Sequence, residues 1–293
     1  MRFNQHQDCT CTLDDVTCLA RVAVGHLRTR FPDLASEMPV PVADLAKALG
    51  IKIESRSNLS VTAKLTRSGH GIPERITIRS DLSTPMRRFA IAHELGHAAL
   101  SIWGPSIFRT MRAQEREFFA DAFASLLQVP DQHRSILAAS LRSASSPLDA
   151  INAARIYGML PERMLWYCWR ELNVLEGTSR MWLRLIERPR RSGGMVRLRI
   201  ARVYCDRAMF FVPNNRSFEG FAGEVGWLSD MLPGDERAKR GEVVLKSRRE
   251  GDRKWGDFKF EAMLVATKIR PSAGRTGNRF IVFVSPASAE GRI

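Results

Sequence analysis

The segment Phe89-Ala-Ile-Ala-His-Glu-Leu-Gly-His-Ala-Ala-Leu100 constrains this chain more than any other. It is apolar at helical spacing, through Phe89, Ile91, Leu95 and Leu100, yet it carries His93, Glu94 and His97. Burying two imidazoles and a carboxylate without partners is costly, so the trio implies a use. Ahead of it stands Ser83-Thr84-Pro85, with Thr84 predicted as N-cap and Pro85 as the first helical residue. On such a helix residues four apart share a face. His93 and His97 can then aim two imidazoles at one cation, with Glu94 beside them. Two neutral imidazoles and a carboxylate able to take a proton from water make the zinc-peptidase arrangement. Gly96 in the same helix costs about 0.5–1 kcal/mol relative to alanine. Its presence predicts the close approach of another backbone beside the site.

Such a site needs a third ligand. Downstream, Gln114–Gln128 reads as a second helix, with Phe119, Phe123, Leu126 and Leu127 as its apolar stripe and Pro130 beyond its end. Glu117 and Asp121 are four apart on one face. Glu117 is the expected ligand and Asp121 a carboxylate placed to orient a ligating imidazole. Glu115 is the rival ligand, but its i+4 position is Phe119, on the apolar stripe. The competing reading is a solvated acidic face paired with Arg112 and Arg116.

Residues 39–175 resemble the ImmA/IrrE family of zinc metallopeptidases. The matching pieces are PVADLAKALGIKI, ITIRSDLSTPMRRFAIAHELGHAAL and EREFFADAFASLLQVP. In that resemblance His93 and His97 match the histidine ligands, Glu94 the catalytic glutamate, and Glu117 and Asp121 the downstream E-x-x-A-N/D motif. It implies a thermolysin-like (gluzincin) site on an α+β core, one zinc ion (or manganese in vivo), and cleavage of regulatory proteins, typically helix-turn-helix repressors of stress or mobile-element genes. Two positions depart from the pattern: Ser101 stands where many members have histidine, and Phe118-Phe119 is bulkier than usual. Both bear on packing or substrate fit.

Around these blocks the expected order is a helix over 14–31, an interruption at Pro32 and PVPV, a short helix 42–50 closed by Gly50, a strand at 51–54, two strands within 60–79, and a loop at Gly104-Pro105. Residues 147–176 read as two helices around Gly158–Pro161, a helix-turn-helix-like pair. The second of them offers Glu162, Arg163, Arg170 and Glu171, mixed in sign, among Trp166, Tyr167 and Trp169, a poor surface for reading bases. Arg188–Gly194 reads as a linker or hairpin turn. Strands are expected at 195–203, 209–212, 242–246, 258–269 and 280–284, and a helix within 216–232.

The formal charge is +14, and the last 114 residues hold most of it, with 24 Lys and Arg against 13 Asp and Glu, a net of +11. Such a balance suits an anionic partner, nucleic acid or an acidic protein face. No secretory h-region and no long apolar run are visible, so the expected compartment is the cytoplasm. Five cysteines, an odd number, argue against a disulfide framework. Cys9, Cys11 and Cys18 near His6 fit no standard zinc spacing and read as free thiols. No phosphate-binding glycine loop, nucleophilic triad or internal repeat is present.

The expected architecture is α+β. An N-terminal extension with a helix (1–37) precedes a zincin-like metallopeptidase core (38–135), a helical subdomain (136–178) and a basic β-rich or α+β domain (179–293). The expected function is zinc-dependent proteolysis of a repressor, and the alternative is a DNA-binding regulator with a structural or inactive metal site. His70 and Tyr157 are candidate donors to the developing oxyanion.

Overall fold

A computed structural model describes residues 13–143, 147–175, 181–189, 196–205, 210–211, 236–249, 256–268 and 278–286. The chain divides into two compact units, one of residues 1–135 with 153–164 and the other of 136–152 with 165–293.

The first unit opens with α1 (Leu13–Arg30) and α2 (Pro32–Ser36), followed by α3 (Val42–Ala48). Gly50 closes α3 at φ +78°. The Gly50 N–H reaches the Lys47 carbonyl and the Ile51 N–H the Ala46 carbonyl, which satisfies the last acceptors of the helix. Then come β1 (Lys52–Arg56), β2 (Ala63–Arg67) and β3 (Pro73–Arg79). Their order is β1-β3-β2, with β1 parallel and β2 antiparallel to β3. Ile76 and Ile78 of the central strand are fully buried, while β2 is an edge.

α4 (Thr84–Trp103) follows and packs on β2, β3 and α6 (Ala113–Leu127). Its N-cap is Ser83 rather than Thr84, and no side chain caps it; Thr84 and Pro85 occupy the first two helical positions. The expected loop after Gly104 is instead a short helix, α5 (Pro105–Thr110). α1 also packs on α6, and Leu27, Leu95, Phe119 and Phe123 are completely buried. Gly96 shows why a glycine stands in α4. A Cβ there would lie 2.9 Å from the Ala120 Cα and 3.2 Å from the Phe123 Cβ, so the two helices touch backbone to backbone. The expected close approach is therefore present, and α6 supplies it.

α7 (Arg134–Ser143), which sequence periodicity did not reveal, precedes the expected pair α8 (Pro147–Ile156) and α9 (Pro161–Arg170). Gly158 turns the chain between the pair at φ +61°, where a side chain would be strained. In α9, Glu162 and residues 164–168 are buried. The second unit continues with β4 (Met181–Pro189), β5 (Val196–Cys205), β6 (Phe210–Phe211), β7 (Glu236–Arg249), β8 (Gly256–Lys268) and β9 (Asn278–Pro286), ordered β5-β4-β9-β8-β7-β6 with every pairing antiparallel. β4 was not anticipated. It takes in Arg188 and Pro189, which pair antiparallel with Arg197 and Val196 of β5, and the rest of the expected linker or hairpin turn, to Gly194, lies outside the described residues. The helix expected within 216–232, and Cys9 and Cys11, lie outside the described residues; Cys18 is an exposed free thiol and Cys168 a buried one.

Among the described residues no helix is long and apolar enough to cross a membrane.

Candidate metal centre

One helical turn separates His93 from His97, and their Nε2 atoms lie 3.2 Å apart. Across the α4–α6 contact, Glu117 sets one carboxylate oxygen 3.3 Å from His93 Nε2 and the other 3.3 Å from His97 Nε2. The three residues thus offer donor atoms that can hold a metal ion. The spacing tests the fit. A tetrahedral ion with arms of about 2.0–2.2 Å needs ligand atoms about 3.3–3.6 Å apart. The Nε2 pair at 3.2 Å, and the 3.3 Å from each Nε2 to its own Glu117 oxygen, lie close to that spacing, and the donor set is the nitrogen and oxygen set that a catalytic zinc site uses. The imidazoles are mostly buried, whereas the Glu117 side chain is 65% exposed, so the fourth direction opens to solvent.

Asp121, one turn beyond Glu117, takes the other side of His93. Its Oδ1 accepts from His93 Nδ1 at 3.0 Å, which assigns the proton to Nδ1 and leaves Nε2 as a lone pair. Its Oδ2 accepts from Arg163 Nη1 at 2.8 Å. The Arg163 guanidinium also lies 4.2 Å over the Phe89 ring. Glu94 points the other way, and its Oε2 accepts the Leu65 backbone N–H of edge strand β2 at 2.9 Å.

The protein's own groups polarise this cluster. Burial alone pushes His93 toward the neutral form, but the hydrogen bond and charge of Asp121, with the charges of Glu94 and Glu117, outweigh it and hold its pKa above the ordinary 6.5. Burial lowers His97 to about 4, helped by the positive charge of His93, Arg67 and Arg116. Burial raises Glu94 above the usual carboxylate range, against the pull of His93 and the Leu65 N–H. Burial would raise Asp121 too, but His93 and Arg163 reverse the sign and keep it anionic.

The cluster sits in a cleft of about 930 Å³. Its other wall is the 59–62 loop with Lys64, Leu65 and Arg67 of β2, and Met86, Phe89 and Ala90 continue it along α4. Arg116 and Arg163 complete the basic lining.

Glu115 is not at the site. At the third position of α6 it accepts the Arg112 N–H at 2.7 Å and pairs with the Arg112 guanidinium at 2.6 Å, capping the helix. Of the competing acidic face, Arg112 is paired with Glu115 and Asp121 is turned to His93 and Arg163, while the Glu117 side chain stays 65% exposed. Neither His70 nor Tyr157 lines the cleft; the Tyr157 hydroxyl meets His133 Nδ1 at 3.3 Å. What sequence reasoning missed are Arg163 and the Leu65 N–H. The first read as one charge on a mixed helix face, and the second is a backbone group without a motif.

No curated protein matches the chain. Among solved structures it is similar in fold to a Mycobacterium tuberculosis transcriptional regulator, with a TM-score of 0.53 and 16% identity over 93% of this chain and 76% of that one. The model of a peptidase family, described as the IrrE N-terminal-like domain, matches residues 46–162, which include both imidazoles, Glu94, Glu117 and Asp121. Over the segment that builds the donor triangle, the chain is similar to the ImmA/IrrE family.

Proposed function

We propose that this protein is a zinc-dependent endopeptidase that cleaves a regulatory protein, a helix-turn-helix repressor by family resemblance, and so derepresses stress or mobile-element genes. The observation that carries the proposal is the donor triangle of His93, His97 and Glu117, open on one side to a cleft and flanked by Glu94. A zinc ion there, with manganese as the alternative in vivo, supplies a Lewis acid that polarises the scissile carbonyl and brings the pKa of water from about 15.7 toward about 7.

The rest falls to the chain's own side chains. Glu94 takes a proton from the attacking water and passes it to the leaving amine, so one water and one peptide bond become a carboxylate and an amine. Its raised pKa suits a group that must both accept and return that proton. Asp121 holds His93 in the tautomer that directs Nε2 at the ion. β2 is an edge strand along the cleft, and pairing with such an edge is a means by which an extended peptide is held independently of its sequence. A closed structural site needs four protein ligands, and three converge here among the described residues.

The test is incubation of the full chain with helix-turn-helix repressors, first among them any encoded beside it, with and without a chelator; we assign the protein to the cytoplasm. Discrete zinc-dependent cleavage is the expected result. The second reading, a DNA-binding regulator with an inactive site, draws on the net charge of +14 and on the regulator named among the structural neighbours. Against it, Glu162 is buried and Arg163 is engaged in the cleft, which leaves α9 little to offer a base edge. A salt-dependent gel shift without any cleavage would reverse the order of the two readings.

A further inference from the structure

We propose that Arg163 is a positioning residue of the metal centre, acting on His93 through Asp121. The inference rests on the metal-binding reading of His93, His97 and Glu117. Arg163 lies one residue beyond the segment that matches the family, so nothing in the family motif assigns it a role.

The geometry is a chain of three groups. Asp121 has two carboxylate oxygens, and each is used once: Oδ1 by His93 Nδ1 and Oδ2 by Arg163 Nη1. A carboxylate held at one oxygen turns freely about its terminal torsion, because that torsion is broad. A second bond at the other oxygen fixes the plane. Fixing the plane fixes the direction of the Nδ1–H bond, and with it where Nε2 of His93 points.

Arg163 is itself anchored against the helix that carries the imidazoles. Its guanidinium lies over Phe89, one turn before His93, and Phe89 is buried. The turn that leads into α9 is also tied to α4. Arg88 donates from Nη2 to the Val40 carbonyl at 2.7 Å and from Nε to the Gly158 carbonyl at 3.3 Å. A Cβ on Gly158 would stand 2.7 Å from that Nε, so the tie requires glycine at the turn. α4 thus holds the strut at its base as well as at its tip. A charge on a solvated helix face would show neither the ring contact nor the two-sided use of Asp121.

The experiment uses the full chain and four variants: Arg163→Met, Arg163→Lys, Asp121→Ala and the double variant Arg163→Met with Asp121→Ala. Zinc affinity is read by chelator competition, and ligand geometry by the visible spectrum of the cobalt-substituted protein. Arg163→Met keeps an unbranched chain over Phe89 and removes the donors. It should weaken zinc binding by roughly tenfold to a hundredfold and shift the cobalt bands. Arg163→Lys should recover part of both. In the Asp121→Ala background, Arg163→Met should change the affinity less than about twofold, because the path is already cut. Melting of the metal-free variants within a few degrees of the parent separates this from a folding defect. Should Arg163→Met fail to fold, the Arg163→Lys comparison, alone and with Asp121→Ala, reads the same coupling at smaller amplitude. Unchanged affinity and spectrum in Arg163→Met overturn the proposal. So do losses that multiply in the double variant, which would put Arg163 on a route that bypasses Asp121. A parent chain that binds no zinc overturns this inference together with the metal reading. A chain that binds zinc with the expected coupling but cleaves nothing overturns the peptidase reading alone.

Discussion

On one side of the cleft α4 and α6 meet so closely at Gly96 that a methyl group has no room, and each functional side chain is held by a named partner. On the other side β2 and the loop before it present an open backbone edge, Lys64 and Arg67, and Val61 at 48% exposure. On the proposed reading the difference separates two jobs. Donor atoms that share one ion tolerate displacements of a few tenths of an ångström, so they belong on close-packed helices. A surface that receives a flexible polypeptide gains from backbone hydrogen bonds and adaptable side chains.

Four outcomes would break or sharpen this contrast. The largest is on the helical side. Glu94→Gln should cut cleavage by about 10²–10⁴-fold while leaving the metal content, read by elemental analysis, unchanged. Substantial cleavage by this variant would remove Glu94 from the role of base. Next is Gly96→Ala. Overpacking against Ala120 costs about 1–3 kcal/mol, which exceeds the ~1 kcal/mol gained in helix propensity. The denaturation midpoint and the zinc affinity should fall together, and a stabilised variant with normal affinity would show that the close approach is incidental to the site.

The third concerns pH. A ligating imidazole must shed its proton, and His93 keeps its proton to higher pH than an ordinary histidine. Zinc affinity should therefore decline as pH is lowered, starting above 6.5, by about tenfold per unit for one competing proton. Because Asp121 is what raises His93, Asp121→Ala should move that onset to lower pH, and titration by chelator competition would show an unmoved onset if the attribution is wrong. The smallest effect belongs to the wall. Lys64→Gln should change KM for a protein substrate by no more than about fivefold, the worth of an exposed charge at about 0–1 kcal/mol, with kcat and zinc affinity unaltered. A loss of metal in this variant would erase the distinction between the two sides.

Much of the helical side was legible in the sequence because helical spacing maps directly onto a face. His93 and His97, like Glu117 and Asp121, are four apart, and Gly96 announced the contact that brings the two faces together. The rest depends on contacts between residues far apart in sequence. Arg163 reaches Asp121 across 42 positions, and the Leu65 N–H reaches Glu94 across 29. No local pattern encodes either pairing. Glu115 became distinguishable from Glu117 only once the helix start was known, since a glutamate three residues past the N-cap folds back on the chain. The cap of α4 slipped by one residue, from Thr84 to Ser83, the usual precision of boundary signals.

The bond from the Leu65 amide to Glu94 carries one more consequence. At rest the proposed base serves as a stopper on the strand edge, occupying a backbone donor that an arriving chain needs for pairing. An arriving polypeptide that pairs with β2 at that position must evict the carboxylate first. On the peptidase reading, docking at that position and freeing the base would be a single act.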